Sequence, residues 1–150
     1  MPSNPMRRVL ERLSRVLRSL VGRPAPALTP EQYWDSKYQV DEFIYTKVPN
    51  RFIVELCSSL TPGKAIDLAG GEGRNTIWLA EQGWQVENVD ISRKGLEKCL
   101  AFAAERGVAE GVRVLQASGE SFRSSLAPVD LAIVPYLQIP RSEEHTSELQ

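Results

Sequence analysis

The stretch AIDLAGGEGRNTIWLAEQGWQVENVD, Ala65–Asp90, decides the fold of this chain. A short apolar strand leads into a glycine-rich turn, Ala69–Gly73, and then into a helix that ends at Gly83. Gln85–Asp90 reads as a second strand. Glycines adopt positive φ without strain and allow close approach to a ligand, and the helix beyond presents unpaired N–H groups. This order predicts a βαβ unit with a ligand site at the turn.

The same alternation continues along the chain on both sides of this unit. Ser92 is placed to cap a helix that runs to Arg106, and Val112–Leu115 and Val129–Val134 are two further apolar strands. Residues 31–60 predict two helical pieces before the first strand. Alternating strands and helices predict right-handed crossovers and a parallel sheet. The expected fold class is α/β, a Rossmann-like doubly wound parallel sheet with N-terminal helices, truncated after about the fourth strand.

Composition separates a basic start from the rest of the chain. Residues 1–30 carry six Arg and one Glu, a net charge of +5, whereas the whole chain of 150 residues has a net charge of −1. Residues 6–21 predict an amphipathic helix, which could pack on the domain, lie weakly on an anionic membrane surface or act as an organelle presequence. The overall charge predicts no nucleic-acid partner. Two isolated cysteines predict buried thiols and a cytoplasmic protein.

We divide the chain into a basic helix and Pro-rich linker over 1–30, an incomplete domain over 31–140, and a tail over 141–150. The tail, RSEEHTSELQ, does not continue the pattern and resembles a translated sequencing adapter. We therefore expect this piece of the protein to be inactive by itself, because about half of the core would be missing.

Two nucleoside-containing cofactors compete for the glycine-rich turn. A dinucleotide site needs G-x-G-x-x-G, but counting from Gly71 places Thr76 where the last glycine belongs. Asp67, two residues before the turn, suits a cation such as the ammonium of a methionine moiety, and suits pyrophosphate poorly. Asp90 lies about 20 residues beyond the turn, where an acidic side chain accepts hydrogen bonds from ribose hydroxyls.

Residues 33–140 resemble the class I methyltransferases that depend on S-adenosylmethionine (SAM), especially the tellurite-resistance and thiopurine group. Asp67–Gly73 matches the first motif of that family, and Asp90 matches its ribose-binding residue. The resemblance implies SAM as cofactor, with a small molecule such as a thiol or metalloid oxyanion as methyl acceptor. The cofactor-binding residues that it implies are Asp67, Ala69, Gly70, Gly71, Gly73, Asn75, Asp90, Ile91, Ser118, Gly119, Glu120, Tyr45 and Tyr136.

Two departures from the family pattern concern the cofactor site. Ala69 stands where relatives have a glycine, and its methyl group costs roughly 1 kcal/mol if the position needs positive φ. Ser118 stands where many relatives have an aspartate that contacts adenine, and a neutral acceptor is weaker. No general base or metal site stands out, so the catalytic residues stay unassigned. A non-catalytic SAM-binding or regulatory module and an NAD(P)-dependent oxidoreductase are the alternatives.

Overall fold

The computed structural model of the chain describes residues 26–136. The elements in chain order are α1 (Pro30–Tyr38), α2 (Arg51–Cys57), β1 (Lys64–Leu68), α3 (Arg74–Glu81), β2 (Gln85–Asp90), α4 (Arg93–Glu105), a 3-10 turn (Ala109–Gly111), β3 (Val112–Gln116) and β4 (Leu131–Ile133). The basic helix predicted at residues 6–21 and the tail at 141–150 lie outside the described residues.

The described strands form one parallel sheet in the order β3-β2-β1-β4. β1 therefore lies between β2 and β4, and Asp67 is in register with Asn88 on one side and Ile133 on the other. This arrangement confirms the predicted α/β, Rossmann-like class. The carboxyl ends of parallel strands share one edge, so the glycine-rich turn and Asp90 meet there.

Local sequence signals account for most element boundaries. The Ser92 hydroxyl accepts the Gly95 N–H and caps α4, which ends with Arg106 as its C-cap, as the sequence predicts. Thr29 and Gln32 form a capping box at the start of α1. β4 is shorter than the predicted Val129–Val134. Asp130 still contacts β1 just before β4 begins, since its N–H donates to the Lys64 carbonyl and its carboxylate accepts the Lys64 N–H.

Two clusters of buried side chains hold the helices to the sheet. One contains Cys57, Ala65, Leu79, Trp84, Val86 and Ile133, and the other contains Ile77, Cys99, Phe102, Ala103 and Val112. Cys57 and Cys99 are buried and unpaired, as the sequence predicts. Within residues 26–136, no helix combines the length and the apolar composition needed to cross a membrane.

Candidate cofactor site

The glycine-rich turn is built from residues in the left-handed region of backbone space. Ala69, Gly71 and Gly73 have φ values of 58°, 51° and 87°, and Gly73 is the N-cap of α3. Glycine adopts this conformation freely, whereas an L-residue is strained by about 1–2 kcal/mol. The open question about Ala69 is therefore resolved, since its methyl group stands where the backbone favours glycine.

The glycines of the turn are also required by packing inside the protein. A Cβ atom on Gly71 would lie 2.5 Å from the Tyr38 hydroxyl, and one on Gly70 would lie 2.5 Å from Asn88 Oδ1. A Cβ atom on Gly73 would collide with the Cys99 sulfur. The turn thus lies directly against α1, β2 and α4, and a side chain there would disturb the protein even before a ligand binds.

A pocket of about 360 Å³ opens above the turn, within the range of small-molecule sites. Of the sequence-predicted residues, its wall contains Tyr45, Ala69, Gly70, Gly73, Asn75 and Tyr136. The wall also contains Trp34, Tyr38, Thr46, Glu72, Arg74 and Pro135, which were not predicted as site residues. The lead-in segment before β1 and the segment after β4 therefore close the pocket around the turn.

Asp90 ends β2 beside the turn, as predicted, although it does not line the pocket. One carboxylate oxygen accepts the Gly71 N–H at 2.9 Å and the other accepts the Ser92 N–H at 2.8 Å. Burial raises the pKa of Asp90, and these two hydrogen bonds oppose that rise. Each oxygen keeps a second lone pair, so the carboxylate can accept further hydrogen bonds from a ligand.

Tyr38 lines the pocket, and its hydroxyl lies beside Gly71 and near Asp90. Its ring is 6% exposed and stacks on Trp34 with 5.9 Å between the ring centres. Burial, followed by the nearby charge of Asp90, raises the pKa of Tyr38 above its usual value. The hydroxyl therefore keeps its proton at neutral pH and is a potential donor beside the turn.

Asp67 lies beneath the turn and is fully buried. One of its carboxylate oxygens accepts the Thr76 hydroxyl at 2.7 Å, while Oδ1 of Asp67 and Oδ1 of Asn88 have no hydrogen-bond partner among the described residues. Desolvation raises the pKa of Asp67 to about 7. Both unpaired oxygens lie against Gly70, which lines the pocket, and their partial negative charge favours a cationic ligand such as SAM whether or not Asp67 is ionised. The residues present therefore fit SAM.

The predicted residues after β2 and β3 lie away from the pocket wall. The Ala117 N–H donates to the Asp90 carbonyl at 3.0 Å, which places the next residue, Ser118, near the end of β2. The Ser118 hydroxyl accepts the Glu120 N–H at 3.2 Å, and the Ile91 carbonyl accepts a hydrogen bond from Gln116. Ile91, Ser118, Gly119 and Glu120 thus follow the carboxyl ends of β2 and β3, and their roles toward the cofactor stay predictions.

Two polar networks around the pocket were missed by sequence reasoning. Glu72 is 4% exposed, accepts backbone N–H groups of Ile44 and Tyr45, and pairs with Lys98. The Asn75 side chain accepts the Asn50 N–H at 2.8 Å, and the Asn50 amide donates to the Tyr136 hydroxyl at 2.9 Å. A charged residue inside a glycine-rich turn was the available signal for the first network. Its partners lie 26 to 28 residues away in sequence, however.

The family described as Methyltransferase domain matches residues 65–149, which is more than half of the chain. The chain therefore belongs to this family, and its cofactor is SAM. The match includes most of the tail that was expected to be foreign, and that expectation is not confirmed. The small-molecule subgroup suggested by the resemblance is not confirmed either.

The curated relatives are RNA methyltransferases. The tRNA 5-carboxymethoxyuridine methyltransferase of Escherichia coli is 28% identical over 115 residues, which cover 73% of this chain and 43% of that protein. The ribosomal RNA small subunit methyltransferase C of Alcanivorax borkumensis is 40% identical over 47 residues, covering 31% of this chain and 14% of that protein. The chain thus spans less than half the length of these relatives.

A solved structure supports the fold. The X-ray structure of YjhP from E. coli superimposes with a TM-score of 0.54 at 19% identity, covering 66% of this chain and 42% of that one. The expectation of no nucleic-acid partner is contradicted by the curated relatives, whose names specify tRNA and ribosomal RNA, and the small-molecule acceptor is not confirmed. Net charge was a poor guide, because it averages over the whole surface while nucleic acid contacts only part of it.

Proposed function

We propose that the whole protein transfers a methyl group from SAM to a nucleoside in RNA, with tRNA as the first candidate. The observation that carries the proposal is the aromatic and cationic mouth of the pocket. Tyr45 and Tyr136 are 51% and 63% exposed although both line it. The Arg74 guanidinium lies 5.3 Å from the centre of the Tyr136 ring. The relation to a tRNA methyltransferase gives independent support.

This mouth has the groups that recognise a base taken out of its stack. Sequence-specific RNA-binding proteins stack unpaired bases on aromatic rings and on the plane of arginine side chains. Such stacking is worth about 1–3 kcal/mol per base. The hydrogen bond from Asn50 to the Tyr136 hydroxyl fixes one edge of that ring, so its orientation is set before substrate arrives. We therefore assign the base-stacking role to Tyr136 and Arg74.

The residues of the chain contribute positioning rather than proton transfer. Bound SAM supplies a methyl group on a sulfonium, and the thioether that remains after transfer is an excellent leaving group. The carboxylate of Asp90 holds the Gly71 N–H and keeps the turn in shape, while Tyr38 and Trp34 limit the access of water to the pocket. Holding two reactants in line supplies much of the acceleration of such a displacement. The leaving group is the neutral thioether of S-adenosylhomocysteine, and a proton displaced from an N–H or O–H acceptor passes to solvent, so no side chain is assigned as general base.

Methyl transfer by the full-length protein tests the proposal. Methyl-labelled SAM is incubated with bulk tRNA, with ribosomal RNA and with a small thiol. We expect label in tRNA that becomes soluble after ribonuclease treatment. Label in the thiol alone would contradict an RNA acceptor, and SAM binding without transfer to any acceptor would support a non-catalytic module.

A matched pair of variants tests the base-stacking role. Tyr136→Ala should raise the KM for RNA by at least about fivefold, because the lost stacking energy is about 1 kcal/mol or more. Tyr136→Phe keeps the ring and should retain most RNA affinity. Tyr136→Phe should bind SAM with the affinity of the wild type, and Tyr136→Ala should lose more affinity for RNA than for SAM. An equal loss of RNA affinity in both variants would contradict stacking as the function of the ring.

A further inference from the structure

We propose that Glu72 is a positioning residue for the cofactor. Its buried carboxylate fastens the lead-in loop, residues 39–50, to the glycine-rich turn, and the affinity for SAM depends on that connection. The inference concerns the cofactor pocket alone and is independent of which acceptor the enzyme methylates.

The Glu72 carboxylate connects three chain segments, namely the glycine-rich turn, the lead-in loop and α4. It accepts the N–H of Ile44 at 3.1 Å and the N–H of Tyr45 at 3.2 Å. Lys98 of α4 donates to the same carboxylate at 2.9 Å and to the Glu42 carbonyl at 2.7 Å. The side chains of Glu72 and Lys98 are only 4% and 16% exposed. Water therefore cannot easily replace these contacts.

Apart from the contacts of Glu72 and Lys98, the lead-in loop is held at its far end by the hydrogen bond from the Asn50 N–H to Asn75 Oδ1, and by contacts with α4. Val40, Tyr45 and Val48 are 50%, 51% and 65% exposed, so apolar burial at these positions does not fix the loop. Phe43 packs edge-on against the Phe102 ring of α4 with 5.1 Å between the ring centres, and this is its apolar anchor. The loop also has an exposed salt bridge to α4, from Lys47 to Glu105, and exposed salt bridges contribute little to stability.

The connection acts on the wall of the pocket. Tyr45 and Thr46 line the pocket and directly follow Ile44, so the Glu72 carboxylate sets the position of that wall. Glu72 itself stands between two residues of left-handed conformation, Gly71 and Gly73, and is held in place by the turn. A buried ion pair is weak evidence for net stability. The role of the Glu72–Lys98 ion pair here is to keep the glycine-rich turn and the pocket wall formed by Tyr45 and Thr46 in a fixed relative position when SAM binds.

The test compares three variants of the full-length protein. Glu72→Ala removes both acceptor oxygens, and Glu72→Gln keeps one oxygen but removes the charge. Glu97→Gln is the matched control, since Glu97 pairs with Arg93 and Lys94 on the exposed face of α4. The measurements are SAM affinity by calorimetry, hydrogen exchange of the Ile44 and Tyr45 amides, and the thermal midpoint.

We expect the Kd for SAM to rise in the order wild type, Glu72→Gln, Glu72→Ala, with at least a tenfold change for alanine and about threefold for glutamine. The Ile44 and Tyr45 amides should exchange at least tenfold faster in Glu72→Ala, while amides of β1 and β2 keep their protection. Glu97→Gln should behave as the wild type.

Unchanged SAM affinity in folded Glu72→Ala would overturn the proposal. So would a uniform increase in exchange over all amides, because that pattern marks a loss of global stability only. If Glu72→Ala does not fold, the SAM affinity and amide exchange of Glu72→Gln test the proposal. Wild-type affinity and wild-type exchange of Ile44 and Tyr45 in that variant would also overturn the proposal.

Discussion

Ala69 is strained, and its replacement by glycine should stabilise the protein. The residue has a φ of 58°, a conformation that costs an L-residue about 1–2 kcal/mol. Glycine removes this cost but adds freedom to the unfolded chain, which offsets about 0.4–1 kcal/mol. The net expectation for Ala69→Gly is a gain of about 0–1.6 kcal/mol in the free energy of unfolding, centred near about 0.8 kcal/mol. At roughly 2–4 °C per kcal/mol, the central value corresponds to a rise of about 2–3 °C in the thermal midpoint.

Urea denaturation of the full-length protein measures this gain, with Ala101→Gly as the matched control. Ala101 lies in the interior of α4 and is exposed, so the same replacement should cost about 1 kcal/mol. The two substitutions are chemically identical and should have opposite signs. If Ala69→Gly destabilises as much as Ala101→Gly, the left-handed conformation of Ala69 is not a source of strain.

Three further outcomes follow from the site. Gly71→Ala should lower the free energy of unfolding by at least about 1 kcal/mol, since its Cβ would meet the Tyr38 hydroxyl. Adding Tyr38→Phe should recover part of this loss. If the effects of the two substitutions on the free energy of unfolding are strictly additive, the contact is contradicted. Burial raises the pKa of Asp67 from 3.8 to about 7, so the folded state holds a proton that the unfolded state releases in this window. The contribution of Asp67 to the free energy of unfolding therefore falls as the pH rises from about 4 to about 7, and Asp67→Asn should remove this fall. If the stability of the wild type and of Asp67→Asn changes with pH in parallel, the prediction is refuted. Asp90→Ala should weaken SAM binding at least about tenfold by calorimetry, and unchanged affinity would reject its role at the ribose.

The parts of the fold that depend on neighbouring residues could be predicted from sequence. The strand Gln85–Asp90 and the helix between Ser92 and Arg106 have the predicted bounds, because their caps and apolar periodicity lie within the elements themselves. The turn and its relation to Asp90 were also predictable, since the parallel βαβ unit brings the ends of adjacent strands together. Only the geometry of Ala69 needed the structure.

The parts of the site that depend on distant contacts could not be predicted. Tyr38 lies against Gly71 because α1 packs on α4, and no local pattern specifies that packing. From sequence alone, Glu72 is expected to be an exposed charge in a loop. In the structure, the lead-in loop covers it and excludes water. β4 is shorter than its apolar sequence indicates, and the contact between the Asp130 carboxylate and the first amide of β1 joins residues 66 positions apart.

A crystal structure of the full-length protein with S-adenosylhomocysteine tests the central claim most directly, namely that the pocket over the glycine-rich turn is the cofactor site. We expect the ligand in that pocket, against Gly70 and Tyr45, with its ribose hydroxyls hydrogen-bonded to the Asp90 carboxylate and Tyr38 displaced or repositioned beside them. A ligand bound elsewhere, or bound in the pocket with Asp90 making no contact to the ribose, would contradict the account.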